Sequence, residues 1–416
     1  MTAPVRKSKQ SHERLFHVVK RDAIPWWKSW LIRLGAILAA LIVIALITLL
    51  ITKQNPLEMY SAMVDGNFGS SVRIWDLLLN TALLLCVALA VTPAFKMRFW
   101  NIGAQGQVLV GAFATTACLR YFSDSVPEPV LFILMIGTAL LAGAVWALIP
   151  GIFKATLNTN ETLFTLMMNY IALNLVGFIC FRWSKNSGND VIGILNRKTK
   201  VGWFQLSGLS NDYKYLLTIL VVAALTILIF IYLKYSKHGY EISVVGESEN
   251  TARYVGINVK KVIIRTVLLS GALCGLAGFL LVSGVHHTLT TEVEGGRGFT
   301  AIIVSWMAHF NPLYMIFSSF LLVFLEKGAV QVASSPQLKL DKSYADIVTG
   351  IIILFIIGCE FFIQYKIQFN HPKKAAVSAG TQKKIDPPAK EETEEKKTSE
   401  LTEKEEETEK EEKTNE

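Results

Sequence analysis

The chain has 416 residues, of which 52% are apolar and only 18% are charged, and its formal net charge is +8. This composition is that of an integral membrane protein, in which a positive excess usually lies in cytoplasmic loops and does not indicate nucleic-acid binding. The five cysteines lie in or beside apolar segments without paired spacing, so they support neither a disulfide framework nor a metal site.

The charges are unevenly distributed along the chain. Ten lysines and fourteen acidic residues follow residue 372, so the end of the chain is net −4 and the rest is net +12. Residues 373–416 contain almost no apolar side chains, which predicts that residues 366–416 form a disordered cytoplasmic tail. Residues 1–30 are rich in basic residues, which predicts a cytoplasmic N-terminal segment without a cleaved signal peptide.

Ten apolar segments predict an all-α, polytopic membrane domain over residues 31–365, with about ten transmembrane helices. The predicted spans are 31–51, 74–95, 107–121, 130–150, 163–181, 215–235, 266–285, 299–308, 313–326 and 347–363. An even number of crossings places both termini in the cytoplasm. The segments predicted to lie outside are 54–73, 182–214 and 327–343, and the segment 286–298 is predicted to be an external or re-entrant turn.

Glycines and polar residues interrupt the apolar sequence between the second and third spans. Four residues there are candidates for lining a transport pathway: Trp100, Asn101, Gln105 and Gln107. Irregular backbone at membrane depth is tolerated only where it is buried in protein or lines a cavity, which is the basis of this prediction. The alternative is that Asn101 and Gln107 cap a helix and bond to neighbouring groups.

Polar and aromatic residues in two further segments are also pathway candidates. Glu161, Thr165 and Asn169 are four residues apart and share one helix face. Thr165, Asn169 and Tyr170 are candidates to face the pathway, and the alternative is interhelical hydrogen bonding. Trp306 is a candidate for stacking on a flat ring, although aromatic residues of membrane proteins more often pack or lie at an interface.

A charged segment is followed directly by a span rich in small residues. Residues 241–265 carry too many charges to lie in hydrocarbon and must face water. The span 266–285 contains Gly271, Gly275 and Gly278, whose spacing allows another helix to approach closely. The sequence therefore predicts a water-exposed segment joined to a tightly packed membrane helix.

Six motifs are distributed over the predicted membrane domain. They are NIGAQGQ at 101–107, NETLFTLMMNYIA at 160–172, GYE at 239–241, VGE at 245–247, ARYVGI at 252–257 and LSGALCGLAG at 269–278. Together they resemble the permease subunits of bacterial ABC importers of the branched-chain amino acid, ribose and nucleoside type. Gln105 replaces a glutamate common in that family, and Trp306 and His309 also depart from it. The segment 345–363 is most similar to the nucleoside branch.

This resemblance implies a type II ABC importer-like permease whose charged segment docks on an ATP-hydrolysing partner. The residues of this coupling element are Gly246, Glu247, Asn250, Ala252, Arg253, Tyr254, Gly256 and Ile257. The alternative is an ordinary cytoplasmic loop with solvated charges.

The resemblance also implies partners in the cell membrane and outside it. These are a second, related permease subunit, an ABC ATPase subunit that binds ATP and Mg²⁺, and an extracytoplasmic substrate-binding protein or lipoprotein. The chain contains no G-x-x-x-x-G-K-[ST] phosphate loop, so it is expected to be neither an enzyme nor the holder of a cofactor. The expected solute is a nucleoside-like small molecule.

Other functions remain open at this point. An ABC permease for a sugar or a branched-chain amino acid would share the same motifs. An ion-coupled carrier would need intramembrane carboxylates, and the only acids at membrane depth are Glu161 and Glu360. A structural or receptor protein would need neither a broken polar segment nor a docking element.

Overall fold

The computed structural model describes residues 16–21, 25–53, 55–184, 192–205, 214–334 and 342–369. The helices are α1 (Trp26–Thr52), α2 (Pro56–Phe68), α3 (Ser71–Lys96), α4 (Ala104–Phe122), α5 (Glu128–Leu157), α6 (Glu161–Trp183), α7 (Leu216–Tyr235), α8 (Lys237–Glu247), α9 (Glu249–Tyr254), α10 (Val259–Phe279), α11 (Arg297–Met307), α12 (Pro312–Ser334) and α13 (Lys342–Gln364). A π-helix, Leu280–His286, continues α10. Residues 20–366 form one compact unit, and the described terminal residues 16–19 and 367–369 belong to another. Strands β1 (Phe16–Lys20) and β2 (Tyr365–Phe369) pair in a two-stranded sheet.

The predicted all-α membrane fold is confirmed. Seven helices of the described residues are long and apolar enough to cross a membrane, and they correspond to predicted spans one, two, four, five, six, seven and nine. The third predicted span is α4, which is largely buried. The tenth is the shorter apolar stretch Ile347–Ile363, which lies within α13. The eighth is α11, whose 11 residues are too few to cross alone. The number of crossings and the cytoplasmic location of both termini stay predictions, as does the tail, which lies outside the described residues from 370 onward.

Two of the segments that were predicted to lie outside are partly helical in the structure. In the segment 54–73, Asn55 accepts a hydrogen bond from the Leu57 N–H (3.0 Å) and Pro56 follows at the first helical position, so α2 begins there. Met59 and Met63 are buried one turn apart on one face of α2. The segment 327–343 was predicted to begin where α12 instead continues to Ser334.

Helix α10 lies at the centre of the core and packs on α3, α4 and α5. The predicted close-packing glycines lie where backbones nearly touch. A Cβ atom on Gly275 would lie 2.0 Å from the Ala139 carbonyl oxygen, and one on Gly278 would lie 2.4 Å from that of Val108. A Cβ on Gly271 would meet the Gly143 carbonyl oxygen at 2.4 Å. These residues form a glycine seam in which side chains would separate the helices.

Candidate functional site

The backbone between α3 and α4 breaks after Lys96, where the sequence predicted an interruption. Arg98 adopts a left-handed conformation (φ 61°), and the Phe99 N–H bonds back to the Ala94 carbonyl (3.0 Å) to close the end of α3. The chain resumes as a helix at Ala104. Residues 97–103 therefore form a non-helical segment, the α3–α4 break, inside a bundle of long helices.

Polar side chains from three helices surround the α3–α4 break, and we call them the amide cluster. Its members are Asn101, Gln107, Thr165, Asn169 and Ser270. Asn101 donates to Gln107 Oε1 and to Ser270 Oγ (both 3.2 Å), while its own Oδ1 accepts from Gln107 Nε2 (3.0 Å). Asn101 is fully buried. Both ends of its amide are thus bonded inside the protein.

Residues of α6 hold the backbone of the break. Asn169 Oδ1 accepts from the Gly106 N–H and Asn169 Nδ2 donates to the Ile102 carbonyl, both at 2.8 Å. Thr165 Oγ1 accepts from the Ile102 N–H (3.2 Å). These bonds replace the helical bonds that the break removes, because an unpaired backbone group in an apolar interior is costly.

The predicted pathway residues accordingly fall into two sets. Asn101, Gln107, Thr165 and Asn169 are buried and bonded to one another or to backbone, as the hydrogen-bonding alternative described. Trp100, Trp306 and Tyr170 expose 40%, 38% and 59% of their surface, and Gln105 is partly buried against Gly298. A role in the pathway stays a prediction for each of these residues.

Trp100 and Trp306 form an aromatic pair between two cavities. Their ring centroids lie 5.1 Å apart at an interplanar angle of 44°. One cavity, of about 460 Å³, is lined by both rings, by Ile302, Ile303 and Met307 of α11 and by Ile356, Ile357, Glu360, Phe361 and Tyr365. The other, of about 400 Å³, is lined by both rings with Phe95, Arg98, His309 and Phe310. The pair can offer flat apolar surface to a ring-shaped solute.

The predicted coupling element consists of α8, α9 and the turn that follows them. Ala252 is completely buried, whereas Tyr254 is 92% exposed. The other exposed members are Glu247, Asn250, Arg253 and Gly256. Gly256 has φ 80°, a conformation that favours glycine, and it reverses the chain into α10. The element thus presents an aromatic and charged surface on a buried anchor.

Gly246 brings α8 against the end of α3, directly before the break. A Cβ atom on Gly246 would lie 2.2 Å from the Lys96 carbonyl oxygen and 3.3 Å from the Met97 Cα. Helix α8 is also tied to α10, because Arg265 donates a 2.8 Å hydrogen bond to Glu241. This bond is the main reason that the pKa of Glu241 lies below its usual value, and burial opposes the effect. A displacement of α8 would therefore reach both the break and α10.

A second polar group, which the sequence analysis did not identify, lies at the opposite end of α3, and we call it the charged cluster. Its members are Asp76, Asn80, Glu294, Arg297 and Lys327. Arg297 donates to Asn80 Oδ1 (2.7 Å), Asn80 donates to Asp76 Oδ1 (3.0 Å), and Lys327 pairs with Asp76 Oδ2 (2.7 Å). Glu294 is 2% exposed and accepts from the Gly296 and Gly298 N–H groups (both 2.9 Å). The cluster joins α3, α12 and the start of α11.

The two polar groups lie about a membrane thickness apart. Asp76 and Lys96 are separated along α3 by 20 residues, or about 30 Å at 1.5 Å per residue. The sequence signal for the charged cluster is the run of charges among glycines, Glu294-Gly295-Gly296-Arg297-Gly298, within the segment 286–298.

The two acids considered for an ion-coupled mechanism are both paired. Glu161 forms a 2.9 Å salt bridge with Lys154, and Glu360 forms a 2.6 Å salt bridge with Arg33. Each bridge joins neighbouring helices, α5 to α6 and α1 to α13. No group of three or more His, Cys, Asp or Glu residues within the described ranges has the arrangement of a metal site.

Comparison with known proteins adds to this geometry. Residues 73–357 match the family described as branched-chain amino acid transport system / permease component. The chain is 30% identical to the guanosine ABC transporter permease protein NupP of Bacillus subtilis (strain 168), over 78% of this chain and 92% of that protein. It is 28% identical to the nucleoside ABC transporter permease protein NupB of Lactococcus lactis subsp. cremoris (strain MG1363) and 27% identical to the glucose ABC transporter permease protein TsgB13 of Haloferax volcanii. Each of these two matches covers 83% of this chain and 92% of the relative.

Proposed function

We propose that this chain, which belongs to the branched-chain amino acid transport system / permease component family, is the membrane subunit of an ABC importer for nucleosides. It is a multi-pass protein of the cell membrane, and it forms part of the pathway through which the solute crosses. Its expected partners are an ATPase subunit, a second permease and an extracytoplasmic binding protein.

The observation that carries this proposal is the contact between Gly246 and Lys96. An importer driven by a separate ATPase needs a surface on which that subunit acts and a connection from this surface to the pathway. The exposed face of α9 around Tyr254 provides the surface, and the approach of α8 to the α3–α4 break provides the connection. ATP and Mg²⁺ are held by the ATPase subunit, because this chain has no phosphate-binding loop.

Nucleosides are favoured as the solute by two independent features. Two of the relatives are named for guanosine or nucleoside transport, and the Trp100–Trp306 pair offers aromatic surface of the kind that stacks on a base. A relative named for glucose transport keeps a sugar as the second candidate. An ion-coupled carrier is disfavoured, since Glu161 and Glu360 are each neutralised by a basic partner.

Uptake of radiolabelled guanosine, uridine, glucose and leucine tests the proposal in cells that lack their own nucleoside uptake. The permease is expressed together with its partner subunits, with either an intact ATPase or one that cannot hydrolyse ATP. We expect uptake of the nucleosides only with the intact ATPase. Equal uptake with both forms of the ATPase would refute the ABC mechanism, and uptake of glucose or leucine alone would refute the nucleoside assignment.

A further inference from the structure

A third cavity, of about 500 Å³, lies beside the charged cluster, between α3, α11, α12 and α13. Its polar lining comes from Asn80, Arg297, Thr300, Glu326 and Thr349, and most of the rest is formed by leucine, valine and isoleucine side chains of α3, α12 and α13. Pockets for small molecules commonly have about 300–1,000 Å³ and combine mainly apolar walls with a few placed polar groups. The cavity has the size and the composition of a binding site.

The guanidinium of Arg297 is held in place before any solute arrives. It donates to Asn80 Oδ1 (2.7 Å) and to the Glu294 carbonyl (2.8 Å), which use two of its five N–H donors. The carboxylate of Glu326 also lines the cavity, is exposed, and attracts the charge of Arg297. No hydrogen bond or ion pair to another described residue engages it. The cavity therefore combines a fixed donor group with an accessible acceptor group.

The charges that face the cavity select against a strongly charged solute. A free anion would be attracted by Arg297 and repelled by Glu326, and a cation would experience the reverse. A neutral solute with hydroxyl groups satisfies both residues, because each hydroxyl can donate to a carboxylate and each ring carbonyl can accept from a guanidinium. A zwitterion is the remaining class that satisfies both charges.

We infer that this cavity is a binding site for the solute, which holds the hydroxyl groups of a neutral, polyhydroxylated ring compound. Glu326 accepts hydrogen bonds from two hydroxyls of the sugar, Thr300 contributes its hydroxyl, and Arg297 donates to an acceptor on the base. This inference rests on the proposed function, because the sugar of a nucleoside is such a compound.

The same two helices carry the solute site and the cavity at the tryptophan pair. Along α11, Thr300 lines the first, while Ile303 and Trp306 line the second. Along α13, Ile353 lines the first, and Ile356 lines the second. A solute that leaves the polar cavity along α11 therefore meets the aromatic pair next.

The test compares Glu326→Gln with Glu292→Gln in the complete transporter, by measuring the concentration dependence of uridine uptake. Both substitutions remove one exposed carboxylate, and Glu292 lies outside the cavity lining. We expect Glu326→Gln to raise the KM about tenfold, the usual effect of losing a hydrogen bond to a charged group, at unchanged maximal rate and membrane abundance. Glu292→Gln should match the wild type.

A second variant, Thr300→Val, keeps the shape and the β-branching of the side chain and should raise the KM by a smaller factor. A KM within twofold of the wild type in Glu326→Gln, with normal uptake, would overturn the inference while leaving the proposed function intact. Inhibition of uridine uptake by leucine that Glu326→Gln relieves would overturn it in favour of a zwitterion. A wild type that takes up no nucleoside is the separate failure of the proposed function.

Discussion

The amide cluster and the charged cluster both place polar groups inside an apolar helix bundle, but only one of them is closed. In the amide cluster, Asn101 and Asn169 use both ends of their amides within the protein. In the charged cluster, Arg297 keeps donors free beside a cavity of about 500 Å³. The difference shows two uses of buried polar side chains. Side chains whose hydrogen bonds are all made within the protein fix the shape of the backbone, whereas side chains that keep donors free beside a cavity can bind a solute.

The largest effect is expected from opening the closed cluster with Asn169→Leu. This change leaves the Gly106 N–H and the Ile102 carbonyl without a partner. We expect the free energy of unfolding to fall by about 2–5 kcal/mol, because each unpaired buried group costs about 1–3 kcal/mol. Urea titration of the detergent-solubilised protein measures it. Asn174→Leu is the control, because Asn174 lies on the exposed side of the same helix and its one hydrogen bond to a described residue goes to the Tyr170 carbonyl.

An equally small loss in both variants would show that the amide cluster does not hold the break.

Gly246→Ala should disturb the amide cluster from outside while leaving the charged cluster unchanged. The added Cβ would lie 2.2 Å from the Lys96 carbonyl oxygen and must displace α8 from the start of the break. We expect uptake to fall about tenfold, within the range of ordinary coupling energies, at normal membrane abundance. Gly137→Ala is the matched control, since no atom lies within 4 Å of the Cβ position of this helical glycine. Undiminished uptake in Gly246→Ala would contradict the proposed connection.

Lys327→Met should show how little stability the charged cluster loses when one charge is removed. Lys327 and Asp76 are partly exposed, so their ion pair contributes at most about 1 kcal/mol. We expect the free energy of unfolding to decrease by this amount in low salt and by less in high salt, where the charges are screened. Thermal unfolding in detergent measures both decreases. A loss as large as that of Asn169→Leu would mean that the charged cluster is as closed as the amide cluster.

The smallest effect is expected at Glu241, where an ion pair connects α8 to α10. Because the pKa of Glu241 is lowered in the folded protein, its pairing with Arg265 stabilises the fold fully above about pH 4.5 and is lost as the pH falls through the lowered pKa. Glu241→Gln should cost about 1 kcal/mol or less at pH 7, and the difference from the wild type should vanish in acid. A difference that does not change between pH 7 and pH 3 would refute this assignment.

Much of the fold follows from the sequence because apolar length and loop charge are local properties. The seven long spans, the short eighth segment and the position of the break were predicted in this way. Helix α2 was not, because it has a mixed composition and depends on packing against α12. The extension of α12 past Glu326 was not predicted either, and it brings Lys327 to Asp76, a residue far away in the chain.

The site was less predictable than the fold. The sequence identified Asn101 and Asn169 as pathway candidates in two separate segments. Whether an amide faces a cavity or a backbone group depends on the rotation of its helix, which a local sequence pattern does not determine. The charged cluster was missed for a related reason. Asp76, Arg297 and Lys327 come from three separate parts of the chain and are brought together only by the tertiary structure.

The glycine seam restricts which parts of this molecule can move. At Gly275, which lies against the backbone of Ala139, and at Gly278, which lies against that of Val108, helix α10 contacts α5 and α4 backbone to backbone. Helices in such close backbone contact resist sliding past one another, so we expect α4 and α5 to move together with α10. We therefore expect the relative motion that opens and closes a passage to occur where larger side chains form the contacts, along α11 and α13.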